Sequence, residues 1–409
     1  MKKLKIFLAS IAPGIFLIGY NIGTGSITTM ASSGASFGME LTWPLLLSCI
    51  FTYFLIVSFG HYTAITGNTI LFSLKQFFGK PISIFVLVSL LASEWVSCMG
   101  VMGVVTQVVQ EWSRPLFPDS GGINPLYSEL VFGALLYYLF WQGKHNFFEK
   151  ILTIFVTIMG VSFMATMFMV IPDPQEMLSG LIPRIPKDTE KLLFSASMVG
   201  TTMGAILYVV RSILVQEKGW KVADLKLEKR DALISSAMMF VLSFAIMASA
   251  VGTLYPAGLK VENAIDMVKL MEPIAGRFAI SIFVAGIVSA GLSSLFPIIL
   301  LAPWLFSDYN NTPRNMKSTQ SRLLVLTGVL FGLVVPIFGG RPVFVMILSQ
   351  SLAIIVTPLV LVLMLIIVNR LAKTNNYPVT KRWSVFMGLI ILFTIAMAGA
   401  GISGIIGSF

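Results

Sequence analysis

Long apolar runs alternate with short polar stretches along all 409 residues. A membrane-spanning helix needs about 20 mostly apolar residues. Eleven segments approach that pattern: 7–33, 41–60, 82–110, 129–142, 147–171, 193–216, 231–254, 274–306, 321–338, 342–369 and 383–407. The breaks between them carry the Pro, Asn, Asp and Lys of surface loops. The pattern predicts an all-α polytopic membrane protein of about 11 transmembrane helices, forming a single membrane domain over 1–409.

Two of the runs are weak helix formers at mid-depth. The first contains GYNIGTGSIT over 19–28, which predicts a break from Asn21 to Gly25. The sixth contains MVGTTMGAILY, with Gly200, Thr201, Thr202 and Gly204. One such run alone would read as close helix packing, because small residues also line helix interfaces. Two of them, five spans apart, fit an inverted repeat of five helices whose broken first members meet near the bilayer midplane. The predicted organisation is a first repeat over 1–171, a second over 193–370, and an extra eleventh helix over 383–407. This is a broken-helix, five-plus-five transporter fold.

Composition agrees with a membrane protein. The chain is 56% hydrophobic and 11% charged, far below the roughly 25% charged residues of soluble domains. With the N-terminus inside, most of the 28 Lys and Arg fall in inner connections. That predicts an integral cell (inner) membrane protein with a cytoplasmic N-terminus and its C-terminus outside. The net charge of +10 is then a consequence of topology and not a nucleic-acid footprint. The opening MKKLK has no cleavage site after it and reads as a retained tail. Cys49 and Cys98 lie in apolar runs, and His61 and His145 in polar connections, so neither a disulfide framework nor a Cys/His transition-metal cluster is expected. No phosphate loop or nucleophile–base pair is present, so neither catalysis nor a cofactor is predicted. Within the spans, Glu94 and Arg211 stand out as charges, and such residues are functional candidates.

Several stretches together resemble the Nramp family of divalent-metal and proton symporters. They are IAPGIFLIGY with ASSGASFGMELTWPLLLS, ASEWVSCMG, FEKILTIFVTIMGVSFMATMFMVIPDP, GTTMGAILYVVRSILVQ, SAGLSS and LSQSLAIIVTPLVL. The resemblance implies that family's fold. It also directs attention to the positions of the family's metal ligands. Where the family has Asp-Pro-Gly-Asn, this chain has Asn21, Ile22, Gly23 and Thr24. Where the family has Met-Pro-His, it has Met203, Gly204 and Ala205, and a later family histidine aligns with Val210. The family glutamine on helix 10 falls at Ser351, one place after Gln350, and two helix 3 acids fall at Glu94 and Ser97.

With no carboxylate at either break, a divalent ion would be poorly compensated there. Two half-helices, starting near Ser26 and Ala205, would instead point their positive ends and free N–H groups at the site. The predicted substrate is therefore a small inorganic monovalent anion, bicarbonate first, carried by alternating access. The predicted contacts are Asn21, Gly23, Thr24, Gly25, Ser26, Thr201, Thr202, Met203, Gly204, Ala205 and Ser351. Arg211 either biases the inner path toward anions or pairs with Glu94. In sodium-coupled symporters of the same broken-helix fold, a helix 8 run like SAGLSS binds sodium. That comparison implies Na+ as a coupling ion held by Ala290, Ser293, Ser294 and the carbonyls of Gly19 and Ile22. Two other readings stand beside this one: a manganese or magnesium transporter with a proton route through Glu94, and a membrane sensor that does not transport. The partners expected are the ion and the lipid bilayer, with no nucleic acid.

Overall fold

Polar residues at the ends of the apolar runs set where helices begin. Asn124, Asp188, Ser318 and Thr380 each accept a hydrogen bond from a backbone N–H of the first turn that follows, at 2.9, 3.1, 3.1 and 3.2 Å. Such caps satisfy N–H groups that have no partner inside the helix. The computed structural model describes residues 12–142, 172–262, 272–373 and 378–407, with further positions at 150, 153–154, 157, 160–161, 164–165, 167–170 and 266. The fifth predicted span, 147–171, therefore lies largely outside the described residues.

The helices are α1 (Ala12–Asn21), α2 (Thr24–Phe37), α3 (Thr42–Thr66), α4 (Ile70–Ser113), α5 (Pro125–Trp141), α6 (Pro174–Ser179), α7 (Thr189–Met203), α8 (Ala205–Lys218), α9 (Leu225–Thr253), α10 (Glu272–Asn310), α11 (Thr319–Gly332), α12 (Val334–Phe338), α13 (Pro342–Lys373) and α14 (Lys381–Ile406). Eight stretches among the described residues are long and apolar enough to cross a membrane, with α7 and α8 taken together as one. The α1–α2 pair divides at Ile22 and Gly23, and α7–α8 at Gly204 alone. In α4 the backbone leaves the helix at Gly79, whose φ of 79° suits glycine, two residues before Pro81.

Packing follows from residue size. In α2, TGSITTMASSGASF, small side chains let the helix lie close against α9, and nearly every residue is buried. Around this pair α3, α4, α7, α10 and α13 build the interior, while α14 covers α7 and α13. Exposed Phe85, Val131, Leu389 and Leu392 on the outer faces suit contact with lipid chains.

The structure corrects the tally of intramembrane charges. α9 starts at Leu225, six residues before the predicted span, so Glu228 and Asp231 enter the bundle and are fully buried. Both accept hydrogen bonds from Arg211 of α8, which is itself fully buried. Arg211 thus pairs within the bundle, neither with Glu94 nor along a substrate path. Asp231 also accepts from the Gly14 N–H of α1 at 3.0 Å, and His61 Nε2 of α3 lies 3.2 Å from Glu228. His61 belongs to α3 and not to a polar connection, because that helix continues to Thr66. Four helices are tied by this one ionic cluster. Arg211→Met leaves two buried carboxylates without their cation and should lower stability by about 3–5 kcal/mol. The triple change Arg211→Met, Glu228→Gln, Asp231→Asn should recover most of it, as read by thermal unfolding in detergent.

Candidate functional site

Each helix break frees backbone groups, and neighbouring helices take them up. The Ala205 N–H, first of α8, donates to Thr357 Oγ1 of α13 at 3.0 Å. Thr357 in turn lies 3.3 Å from the Met203 carbonyl and 2.9 Å from that of Ala353. The Thr202 carbonyl accepts from Thr52 of α3 at 2.8 Å, and Asn21 Nδ2 sits 3.5 Å from it. The two breaks therefore meet, and a small recess opens between them, with about 30 Å³ of room for a water-sized sphere.

Five helices bring polar groups to that recess. α1 contributes Tyr20 and Asn21, α4 contributes Glu94 and Ser97, α7 contributes Thr201, α10 contributes Ser294 and α13 contributes Gln350. Tyr20 donates to Glu94 Oε1 at 2.6 Å. Glu94 Oε2 and Asn21 Oδ1 are buried without a hydrogen-bond partner. Buried oxygens in this condition are costly unless something arrives to engage them. Gln350 Nε2 lies against Gly25, where a Cβ would meet it at 2.5 Å. At Gly200 the approach is tighter still, because a Cβ there would collide with the Gln350 carbonyl.

Of the predicted contacts, Asn21, Gly23, Gly25, Thr201 and Gly204 line the recess. The others lie off it. Thr202 donates to the Met198 carbonyl of its own helix, Ser26 is paired with Ser243 of α9, and Ser351 donates to the Ile347 carbonyl. Met203, Ala205 and Thr24 are buried away from its lining. The helix 10 position is Gln350, not Ser351, because one residue turns a helix by 100° and carries the side chain to another face. Tyr20, Gln350 and Met346 line the recess without a local signal in the sequence, while Ser294 enters it as more than a sodium ligand and Glu94 as the acid of α4.

The proposed sodium ligands are already engaged with one another. Ser293 Oγ donates to the Ala290 carbonyl at 2.8 Å, and Ser294 Oγ to the Gly19 carbonyl at 3.3 Å. The Ile22 N–H bonds the Ile18 carbonyl, extending α1 by one residue.

The family description "Natural resistance-associated macrophage protein-like" (Nramp) matches residues 14–403. The chain belongs to the Nramp family. It is 23% identical to the divalent metal cation transporter MntH of Clostridium acetobutylicum, with 97% of this chain and 90% of that protein covered. It is 20% identical to MntH of Caldanaerobacter subterraneus, covering 97% and 93%. The Eremococcus coleocola manganese transporter, solved with an aromatic bis-isothiourea compound, superimposes with a TM-score of 0.74 at 13% identity, over 97% of this chain and 86% of that one. The fold is therefore the Nramp transporter fold, in a protein integral to a membrane.

These findings overturn the anion reading and its sodium coupling. Nramp relatives are named for divalent metal cations, and the site's chemistry agrees. The argument for bicarbonate rested on free N–H groups with no carboxylate nearby. Thr357 occupies the first N–H of α8, and Glu94 brings a carboxylate from a helix distant in sequence. A carboxylate with a free oxygen disfavours an anion beside it. Gly200→Ala forces α7 from α13 and should lower stability by about 1–3 kcal/mol, seen as a lower midpoint of thermal unfolding, with uptake reduced further than stability alone accounts for.

Proposed function

We propose that this Nramp protein is a secondary transporter of divalent metal cations such as manganese or magnesium, working by alternating access. The observation that carries the reading is the pairing of Glu94 Oε2 and Asn21 Oδ1, two buried oxygens without partners that border one recess between two helix breaks. Hard divalent cations seek such oxygens, and magnesium in particular keeps several waters while using one or two carboxylates. The recess is small, so an ion bound there keeps few of its waters. The Gln350 side chain, the Thr201 hydroxyl and backbone carbonyls at the breaks are the other oxygen sources. Tyr20 holds one Glu94 oxygen and so orients the carboxylate.

The two breaks suit alternating access, in which one helix group rocks against another around a fixed site. Residues 1–171 and 193–370 are the inverted repeats of this reading, with 383–407 added. The Lys and Arg asymmetry supports a cell-membrane location with a cytoplasmic N-terminus and an outer C-terminus.

The test is manganese and magnesium influx into proteoliposomes, read with a trapped metal-sensitive dye. Glu94→Gln should lower influx by roughly 10-fold or more, and full activity in that variant would sink the assignment. Gln350→Ala should lower influx several-fold while Ser351→Ala leaves it intact. The reverse order would show that α13 presents another face.

A further inference from the structure

Outside the central recess, a second carboxylate stands without a partner. Glu129, on α5, is only 1% exposed, and both of its oxygens lack a hydrogen bond. It faces the junction of α4, α5 and α11. A Cβ built on Gly332, at the end of α11, would lie 3.1 Å from Glu129 Oε1 and 3.5 Å from the Met102 Cβ of α4. The absent side chain at Gly332 makes the space into which the carboxyl points.

Met102 belongs to a stripe on α4. Glu94, Cys98 and Met102 are spaced four residues apart and share one face of that helix. The stripe covers about 12 Å of helix rise. At one end it borders the recess, and at the other it meets Glu129. Cys98, in the middle, is fully buried.

Among the described residues, α4 carries Cys98 one turn from Met102 and Glu94 a further turn along the same face. From α11 the neighbour is Gly332, and that helix's Arg322 stacks on Trp141 at the far end of α5. The α12 segment, VVPIF, carries no ionisable side chain. The side chains of 272–280 on α10 are outside the described set. A lone carboxylate in such surroundings is expensive when charged.

We propose that Glu129 is a proton-binding site of the transporter. Its carboxylate takes a proton from bulk water to become a neutral carboxyl, and returns that proton to water when the charge at Glu94 changes. A metal ion on Glu94 cancels a negative charge at the other end of the stripe, which acts on Glu129 through the low-dielectric interior. Cancelling it makes the charged form of Glu129 less costly, so metal binding favours proton release.

The first measurement needs no transport. Infrared difference spectra of the purified protein in lipid, recorded across the neutral pH range, should contain a protonated-carboxyl C=O band. That band should disappear as pH rises, be lost in Glu129→Gln and return in Glu129→Asp. A band unchanged by Glu129→Gln, or one constant across the pH range, overturns the proposal. Manganese added to wild type should reduce the band at fixed pH, and should fail to do so in Glu94→Gln. Persistence of that response in Glu94→Gln overturns the coupling. The second measurement rests on the metal-transport reading: proton movement accompanying manganese influx into proteoliposomes, followed with an interior pH dye. Glu129→Gln should abolish the proton signal, and an unchanged signal overturns the proposal. If wild type moves no metal, the transport reading fails, and the infrared titration still decides on Glu129.

Discussion

Backbone groups freed inside a membrane must find partners within the protein, because lipid offers none. That constraint governs the centre of this molecule. Opening a helix at Gly204 exposes the Met203 carbonyl and the Ala205 N–H, and one threonine, Thr357, serves both. Thr52 serves the Thr202 carbonyl, and Ser294 that of Gly19. The shape of the recess is thus set as much by hydroxyls on α3, α10 and α13 as by the glycines that break the helices.

The buried charges divide into two kinds by the same logic. Arg211, Glu228 and Asp231 cancel one another's charge, and the Gly14 N–H donates to Asp231, although Glu228 Oε2 and Arg211 Nε have no hydrogen-bond partner. A closed cluster of this type fixes where α1, α8 and α9 sit, and it has little left to offer a ligand. Glu94 and Glu129 are the other kind: among the described residues no cation faces either, Glu94 has one oxygen without a hydrogen bond and Glu129 has both. Buried acids left incomplete by the protein are where a cation or a proton gains most. The functional proposals rest on that contrast and not on burial as such.

Reading the residues in order captured much of the architecture. Most helix positions, the two breaks and five lining residues of the recess were legible, because they depend on apolar run length and on Gly and Thr placed within a run. The failures share a cause. Glu228 and Asp231 lie close to Lys226, Lys229 and Arg230, so local composition places one before the span and the other at its very edge. Ser351 was preferred to Gln350 through a one-residue offset, which is invisible in a string and decisive on a helix. The ligand was given the wrong charge because its carboxylate was sought at the breaks, whereas Glu94 lies 74 residues from Tyr20, its hydrogen-bond partner.

By itself the sequence determined a membrane bundle with two interrupted helices and a resemblance to Nramp. Those properties follow from hydrophobic run length, helix-breaking residues and short motifs, all of which are local. The tertiary structure alone decided which oxygens share the recess, which charges cancel and which remain open. Electrostatic compensation acts through space over a few ångströms, and sequence separation carries no measure of that distance.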